Sequence, residues 1–133
     1  MNRVLHFELG AEDPEKLIAF YKEVFGWETQ QWEGPQSYWL VTTGSEDASG
    51  INGGIMRHKE GLPRTINTIV VDSVDEYAAK VAAAGGEVIV PRMGIPGVGY
   101  QAYCKDPEGI VFGIHQQDTS AKAEGECGST NPR

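Results

Sequence analysis

The sequence has little cysteine and few basic residues. Only two of its 133 residues are cysteines, Cys104 in a predicted strand and Cys127 in a polar segment. A structural disulfide between them is not expected, and a reducing compartment, the cytoplasm, is favoured. Lys and Arg together number 11 against 19 Asp and Glu, which gives a formal net charge of −8. Nucleic-acid binding depends on clustered basic side chains, so we expect no nucleic-acid partner.

Long hydrophobic runs are also absent. No apolar stretch approaches the ~18 residues of a membrane-spanning helix, so we expect no membrane partner. The apolar fraction of 40% and the charged fraction of 23% are typical of a globular protein. A chain of this length is expected to form one domain with a substantial core, which we place at residues 3–117. Residues 118–133 lack aromatic and branched apolar side chains, so a disordered tail is predicted there.

The N-terminal stretch predicts a strand followed by a helix. Leu5, Phe7 and Leu9 alternate with more polar positions, so His6 and Glu8 share the opposite face of the strand. Apolar residues then recur at helical spacing after an Asp-Pro pair, which is typical of a helix start, and a glycine ends the helix. An imidazole and a carboxylate on one face are suited to general acid/base chemistry.

The same succession of elements occurs twice. Further strands are predicted over residues 28–32, 37–42 and 51–56, and residues 57–64 have no periodicity and are taken as a linker. After it the pattern predicts a strand at 65–71, a helix at 74–84, a strand at 87–93 and a hairpin of 99–105 with 110–115. The chain is therefore predicted to contain two βαβββ modules, 3–57 and 65–116, whose curved sheets leave a cup between them.

Two segments carry a resemblance to a known family. The helix ending in FYKEVFGW and the later run YCKDPEGIVFGI resemble the first and last parts of the vicinal oxygen chelate superfamily, which includes glyoxalase I, extradiol dioxygenases, fosfomycin-resistance enzymes and bleomycin-binding proteins. The resemblance implies an α+β, glyoxalase-like fold in which two βαβββ modules form a curved mixed-sheet cup. It also implies a homodimer. In the metal-dependent members, the first and last strands of each half supply the metal ligands.

Only one of the four implied ligand positions is matched. His6 stands where the family has its first histidine, whereas Ile66 occupies the first strand of the second half. The last strand of the first half supplies Gly53 or Gly54, and the last strand of the second supplies Gly113. A catalytic divalent ion normally needs about three protein ligands. We therefore expect no metal cofactor.

The residues of the cup depend on the register of the last hairpin. The Asp-Pro-Glu-Gly sequence suits a tight turn, and if Lys105 faces Ile110 across it, Gly113 pairs with Ala102. Tyr103 then packs under the helices. On this basis the predicted catalytic candidates are His6 and Glu8, and the predicted ligand-binding cup contains His6, Glu8, Trp39, Gly53, Ile66, Thr68, Tyr100, Cys104, Gly113 and His115.

Three functions remain open from the sequence. The favoured one is a metal-free protein, glyoxalase-like or bleomycin-resistance-like, that binds a small organic molecule in the cup and whose enzymatic activity is undetermined. The second is a metal-dependent lyase, isomerase or dioxygenase with an atypical ligand set, for which His6, Glu8 and His115 are the candidates. The third is a dimeric interaction module in which the cup is vestigial.

Overall fold

A computed structural model describes residues 1–32, 34 and 36–123. Its helices and strands follow one another as two successive βαβββ series, and the predicted α+β class is confirmed. The elements are β1 (Arg3–Ala11), α1 (Pro14–Phe25), β2 (Glu28–Gln31), β3 (Tyr38–Thr42), β4 (Asn52–Arg57), β5 (Thr65–Val70), α2 (Val74–Ala83), β6 (Glu87–Ile95), β7 (Gly99–Lys105) and β8 (Val111–Gln117).

The chain divides into two compact units, and each is described by itself. The first unit is Leu5–Asn67, and the second consists of Met1–Val4 with Thr68–Arg133, whose residues 124–133 lie outside the described part. In the first unit the strand order is β2-β3-β4-β1, with β1 parallel to β4 and the other pairs antiparallel. In the second unit the order is β5-β8-β7-β6, with β5 parallel to β8.

Helix α1 is fixed at both ends by its sequence. The Asp13 side chain accepts a hydrogen bond from the backbone N–H of Lys16, and Gly26 ends the helix in the left-handed conformation with φ 75°. Trp27 then stacks on Tyr21 with ring centroids 4.6 Å apart and lies 5.7 Å from the ring of Phe7. The Phe7 face of β1 is therefore the face with aromatic packing, and His6 and Glu8 are on the other one.

In the second unit, helix α2 covers the apolar face of its sheet. The Ser73 hydroxyl caps the helix by accepting from the backbone N–H of Glu76. The core cluster then combines helix residues with alternate residues of β7 and β8; its buried members are Val71, Val74, Ala102, Cys104 and Ile114. Because side chains alternate along a strand, the remaining residues of β7 and β8, among them Gln101 and Gly113, lie on the face opposite α2.

The predicted register of the last hairpin is wrong by one residue. Tyr103 pairs with Gly113, which was expected opposite Ala102. The connection runs over residues 106–110, because the Asp106 carboxylate accepts a hydrogen bond of 2.9 Å from the backbone N–H of Ile110 and so holds Ile110 in the turn. Tyr103 consequently lies on the face opposite α2, whereas the predicted register places it under the helices.

The segment after β8 differs in part from the expected disordered tail. The backbone N–H of Asp118 donates to Val98 O at 2.9 Å, that of Gly97 donates to Ala121 O at 3.1 Å, and Ala121 is buried. Residues 118–123 are thus attached to the β6–β7 connection. The disorder predicted for 124–133 lies outside the described residues.

Within the described residues, no helix has the length and apolar character needed to cross a membrane.

Candidate functional site

Three polar side chains of the first unit meet on the face of the sheet opposite Phe7. The Tyr38 hydroxyl donates to Glu8 Oε2 at 2.8 Å and lies 2.9 Å from His6 Nε2. Glu8 is only 5% exposed, and His6 and Tyr38 are half-buried. We refer to these three residues as the His6–Tyr38–Glu8 cluster. The structure therefore brings together the two residues predicted to be catalytic candidates and adds Tyr38 between them.

The hydrogen bonds assign the protons of this cluster. The single hydroxyl proton of Tyr38 goes to the Glu8 carboxylate, so His6 Nε2 must be the donor to Tyr38 Oη. In the neutral imidazole, Nδ1 then carries the lone pair. Burial lowers the pKa of His6, and the negative charge of Glu8 opposes this effect less strongly. The neutral ring is therefore favoured, with Nδ1 as an atom that can accept a proton or a hydrogen bond.

A glycine opposite Glu8 makes room for Tyr38. In the register between β1 and β4, Glu8 pairs with Gly54 and Phe7 with Gly53. A Cβ on Gly54 would collide with the Tyr38 hydroxyl, whereas one on Gly53 would lie 2.6 Å from the Phe7 ring. The assignment of Gly53 to the cup is therefore wrong, because Gly54 is the glycine on the side of Glu8.

Tyr38, and not Trp39, lies on the same face of the sheet as His6. These consecutive residues of β3 point to opposite faces, as the sequence requires, and the hydrogen bonds of Tyr38 identify its face. The placement of Trp39 in the cup is therefore wrong. The sequence does not show which face each residue of β3 occupies, because its residues YWLVT are almost all apolar and do not alternate with polar ones.

A second polar group lies in the second unit, around Gly113. His115 Nδ1 donates to Gln101 Oε1 at 2.8 Å, since the amide oxygen can only accept. A Cβ on Gly113 would lie 2.7 Å from Thr68 Oγ1 and 2.8 Å from Gln101 Nε2. The structure thus groups three predicted residues, Thr68, Gly113 and His115. Gln101 was missed because the predicted register paired the wrong residues of the hairpin.

Two other predicted cup residues of the second unit, Tyr100 and Cys104, pack on the helix side of its sheet. Cys104 is fully buried in the core cluster beneath α2, and burial raises the pKa of its thiol. Tyr100 packs against the same cluster, and the Arg92 guanidinium lies 4.6 Å from its ring centroid. Both residues are on the α2 face, so their assignment to the face of Gly113 is wrong and follows from the register error. Ile66 is a buried apolar residue of the first unit, 1% exposed.

The residues at the implied metal-ligand positions do not fit a divalent ion. Gly54 and Gly113 have no side chain, and Tyr38 or Thr68 fills the space beside each. Within the His6–Tyr38–Glu8 cluster, His6 and Glu8 are the imidazole and carboxylate ligands, and His6 Nε2 and Glu8 Oε2 are both engaged by the Tyr38 hydroxyl. Two donors fall short of the usual three protein ligands. Across residues 1–32, 34 and 36–123, no group of three His, Cys, Asp or Glu side chains is placed to hold a metal ion.

A surface depression of about 290 Å³ occurs in the first unit. None of the three cluster residues lines it, so it is not part of the candidate site. Its lining residues are Gln36, Ser37, Met56, Arg57, His58 and Lys59.

Two successive βαβββ series are typical of a class of small α+β proteins. In this chain the polar cluster lies on the face of the sheet opposite Phe7. The family model of the Glyoxalase/Bleomycin resistance protein/Dioxygenase superfamily matches residues 3–114, and the chain belongs to this superfamily. The family expected from the two sequence segments is confirmed, as is the glyoxalase-like fold.

Solved structures agree on the fold. A methylmalonyl-CoA epimerase in complex with methylmalonyl-CoA and NH4+ is similar with a TM-score of 0.65 and 17% identity, over 92% of this chain and 99% of that one. The methylmalonyl-CoA epimerase from Mycobacterium tuberculosis gives a TM-score of 0.64 and 12% identity, over 86% and 87% of the two chains. At these identities the likeness concerns the fold alone.

Two curated relatives are more similar in sequence. "Putative glyoxylase CFP32" of Mycobacterium tuberculosis is 34% identical over 110 residues, which cover 80% of this chain and 41% of the relative. "Anthracycline biosynthesis protein DnrV" of Streptomyces peucetius is 27% identical over 135 residues, which cover 89% of this chain and 48% of the relative. The chain therefore spans less than half the length of these relatives.

Proposed function

We propose that this chain binds a small organic molecule at the His6–Tyr38–Glu8 cluster and does so without a resident divalent metal. The observation that carries the proposal is the position of the Tyr38 hydroxyl, which engages both His6 Nε2 and Glu8 Oε2. The two side chains best suited to bind an ion are thereby committed to a hydrogen-bond network. Gly54, opposite Glu8, leaves the space that this network occupies.

The cluster offers a ligand one defined polar contact. Neutral His6 presents the lone pair of Nδ1, while Tyr38 and Glu8 hold the ring through Nε2. A ligand N–H or O–H group can donate to Nδ1, and an acidic C–H or O–H group can transfer its proton there. The same geometry thus serves simple binding and proton transfer, and a measured turnover would decide between them.

The names of the relatives suggest which molecules to try first. One relative is named for a glyoxylase activity and another for anthracycline biosynthesis. Both names point to small carbonyl compounds, either short α-oxo compounds or flat aromatic quinones. We propose these two classes as the first ligands to be tested on this chain.

The remaining expectations are proposed together. Residues 3–117 are proposed to form one domain of two modules, 3–57 and 65–116. The protein is proposed to be a homodimer that acts in the cytoplasm without nucleic-acid or membrane partners, in keeping with a net charge of −8.

Metal content and ligand binding test the proposal. Protein purified without chelator is expected to contain far less than one equivalent of Ni, Zn, Mn or Fe by inductively coupled plasma mass spectrometry. Ligands that raise the melting temperature of the wild type should lose this effect in His6→Ala, whereas His58→Ala should retain it. A stoichiometric metal that disappears in His6→Ala would overturn the proposal.

That contrary result would support a metal-dependent enzyme, and one feature of the structure favours this second candidate. His6 Nε2 and Glu8 Oε2 are each within 3 Å of the same atom, Tyr38 Oη. If Tyr38 were displaced, the two groups would already converge on one position. Tyr38→Phe would then bind metal more tightly than the wild type, which the metal-free proposal does not predict.

A further inference from the structure

Two buried polar atoms without partners lie beside Gly113. Thr68 Oγ1 and Gln101 Nε2 have no hydrogen-bond partner within the described residues, and the two residues are 1% and 6% exposed. Each lies within 2.8 Å of the point where a Cβ on Gly113 would stand, so both are close to one place. Buried polar groups are nearly always paired, because an unpaired one destabilises the fold. Such a pair therefore indicates a missing partner.

The chemistry of the two groups specifies that partner. Gln101 Oε1 accepts the hydrogen bond of His115 Nδ1, which orients the amide so that its NH₂ group is the end beside Gly113. An amide NH₂ group can only donate, and the Thr68 hydroxyl is able to donate as well. Two donors beside the same glycine fit an acceptor oxygen. They do not fit an ammonium group or a metal cation.

We infer that Thr68 and Gln101 together bind an acceptor oxygen, a carbonyl or carboxylate oxygen, of a small molecule. The inference goes beyond the proposed function, because Thr68 and Gln101 belong to the second compact unit, whereas the His6–Tyr38–Glu8 cluster belongs to the first. Gly113 is required there, since a Cβ at this position would collide with both groups. Gln101 lies on the face opposite α2, so an oxygen bound beside it lies outside the core cluster.

The stability of the ligand-free protein gives the first test. Thr68→Val keeps the shape of the side chain and removes an unpaired hydroxyl, so the melting temperature should rise by about 3 °C. Thr42→Val, at an exposed position of β3, should leave it nearly unchanged. A fall in the melting temperature of Thr68→Val would show that the hydroxyl is already paired in the free protein, for example by an internal water molecule. That result would overturn the inference.

Binding of a matched pair of probes gives the second test. Anthraquinone-2-sulfonate and anthracene-2-sulfonate share a ring system and a sulfonate and differ in the two carbonyl oxygens. The wild type should bind the quinone about tenfold more tightly in a fluorescence titration, and Thr68→Val should abolish the difference. Thr68→Ser, which retains the hydroxyl, should preserve it. A parallel titration with pyruvate and lactate shows whether a small α-oxo acid is the source of the oxygen.

The outcomes separate this inference from the proposed function. If either pair of probes binds and Thr68→Val leaves the affinity of both members unchanged, the inference is wrong and small-molecule binding stands. If none of the four probes binds, the proposed function fails for carbonyl ligands and the inference fails with it.

Discussion

Tyr38 connects the two predicted residues of the candidate site, His6 and Glu8. Its hydroxyl supplies a hydrogen bond to Glu8, a carboxylate that is only 5% exposed. A buried carboxylate is costly when it loses a donor. The site therefore depends on a residue that lies 30 positions away in the sequence.

Replacing Tyr38 with Phe should lower the free energy of unfolding by about 2 kcal/mol, because a hydrogen bond to a charged group is lost in a buried position. Tyr77→Phe is the matched control, since the Tyr77 hydroxyl contacts the exposed Asn2 side chain and should contribute about 0.5 kcal/mol or less. Urea unfolding of both variants measures the difference. Equal effects would contradict the role assigned to Tyr38.

His6 should make stability depend on pH. Burial lowers its pKa in the folded state below the ordinary value of 6.5. The unfolded chain therefore takes up a proton first as the pH falls. The contribution of neutral His6 to the free energy of unfolding is fully present above pH about 6.5. It is lost as the pH decreases toward the pKa of His6 in the folded state.

Unfolding free energies at pH 8, 6.5 and 5.5 test this prediction. The wild type should lose more stability across this range than His6→Asn, in which the titrating group is absent. His58→Asn is the control, because it removes a histidine outside the cluster. A pH dependence that is identical in the wild type and His6→Asn would contradict the assigned direction of the pKa shift.

At the scale of the element, the β7–β8 turn determines which side chains share a face. The Asp106 carboxylate accepts from the backbone N–H groups of Glu108 and Ile110, each at 2.9 Å. These bonds keep Ile110 in the turn and place Tyr103 opposite Gly113. A shift of one residue exchanges the two faces of a strand. The length of this turn therefore places Gln101 on the same face of the sheet as Gly113.

Asp106→Ala should therefore destabilise the protein by about 2 kcal/mol, since two backbone donors lose their acceptor. Asp106→Asn retains an acceptor oxygen and should lose less than half of that amount. Thermal and urea unfolding provide the comparison. Asp106→Ala and Asp106→Asn variants of equal stability would show that the side-chain bonds do not hold the turn.

At the scale of the whole molecule, the net charge of −8 influences association. Two copies of the chain repel each other, and salt screens this repulsion. The proposed homodimer should therefore be tighter at 0.15 M NaCl than at 0.01 M. Light scattering should give about twice the chain mass of 14.5 kDa at the higher salt and a lower average mass at the lower one. The mass of a single chain at both salt concentrations would refute the dimer.

Much of the fold followed from local patterns in the sequence. The Asp13 cap, the left-handed Gly26 and the apolar periodicity determined α1, and the strand and helix bounds agree with the structure to within one or two residues for most elements. The shared face of His6 and Glu8 also followed, because alternation along one strand is a local property. These features depend on neighbours in the chain, which the sequence displays directly.

Contacts between strands were decided only by the tertiary structure. The strand β3 contains almost no polar residue that would reveal its phase, so the choice of Tyr38 over Trp39 came from its hydrogen bonds to His6 and Glu8. Likewise, Gln101 lies on the same face as Gly113 because the turn held by the Asp106 side chain is one residue longer than the sequence predicts. The sequence by itself determined the elements, the family and one strand of the site. The partners across the sheet depend on register, which is set by side-chain contacts between distant residues.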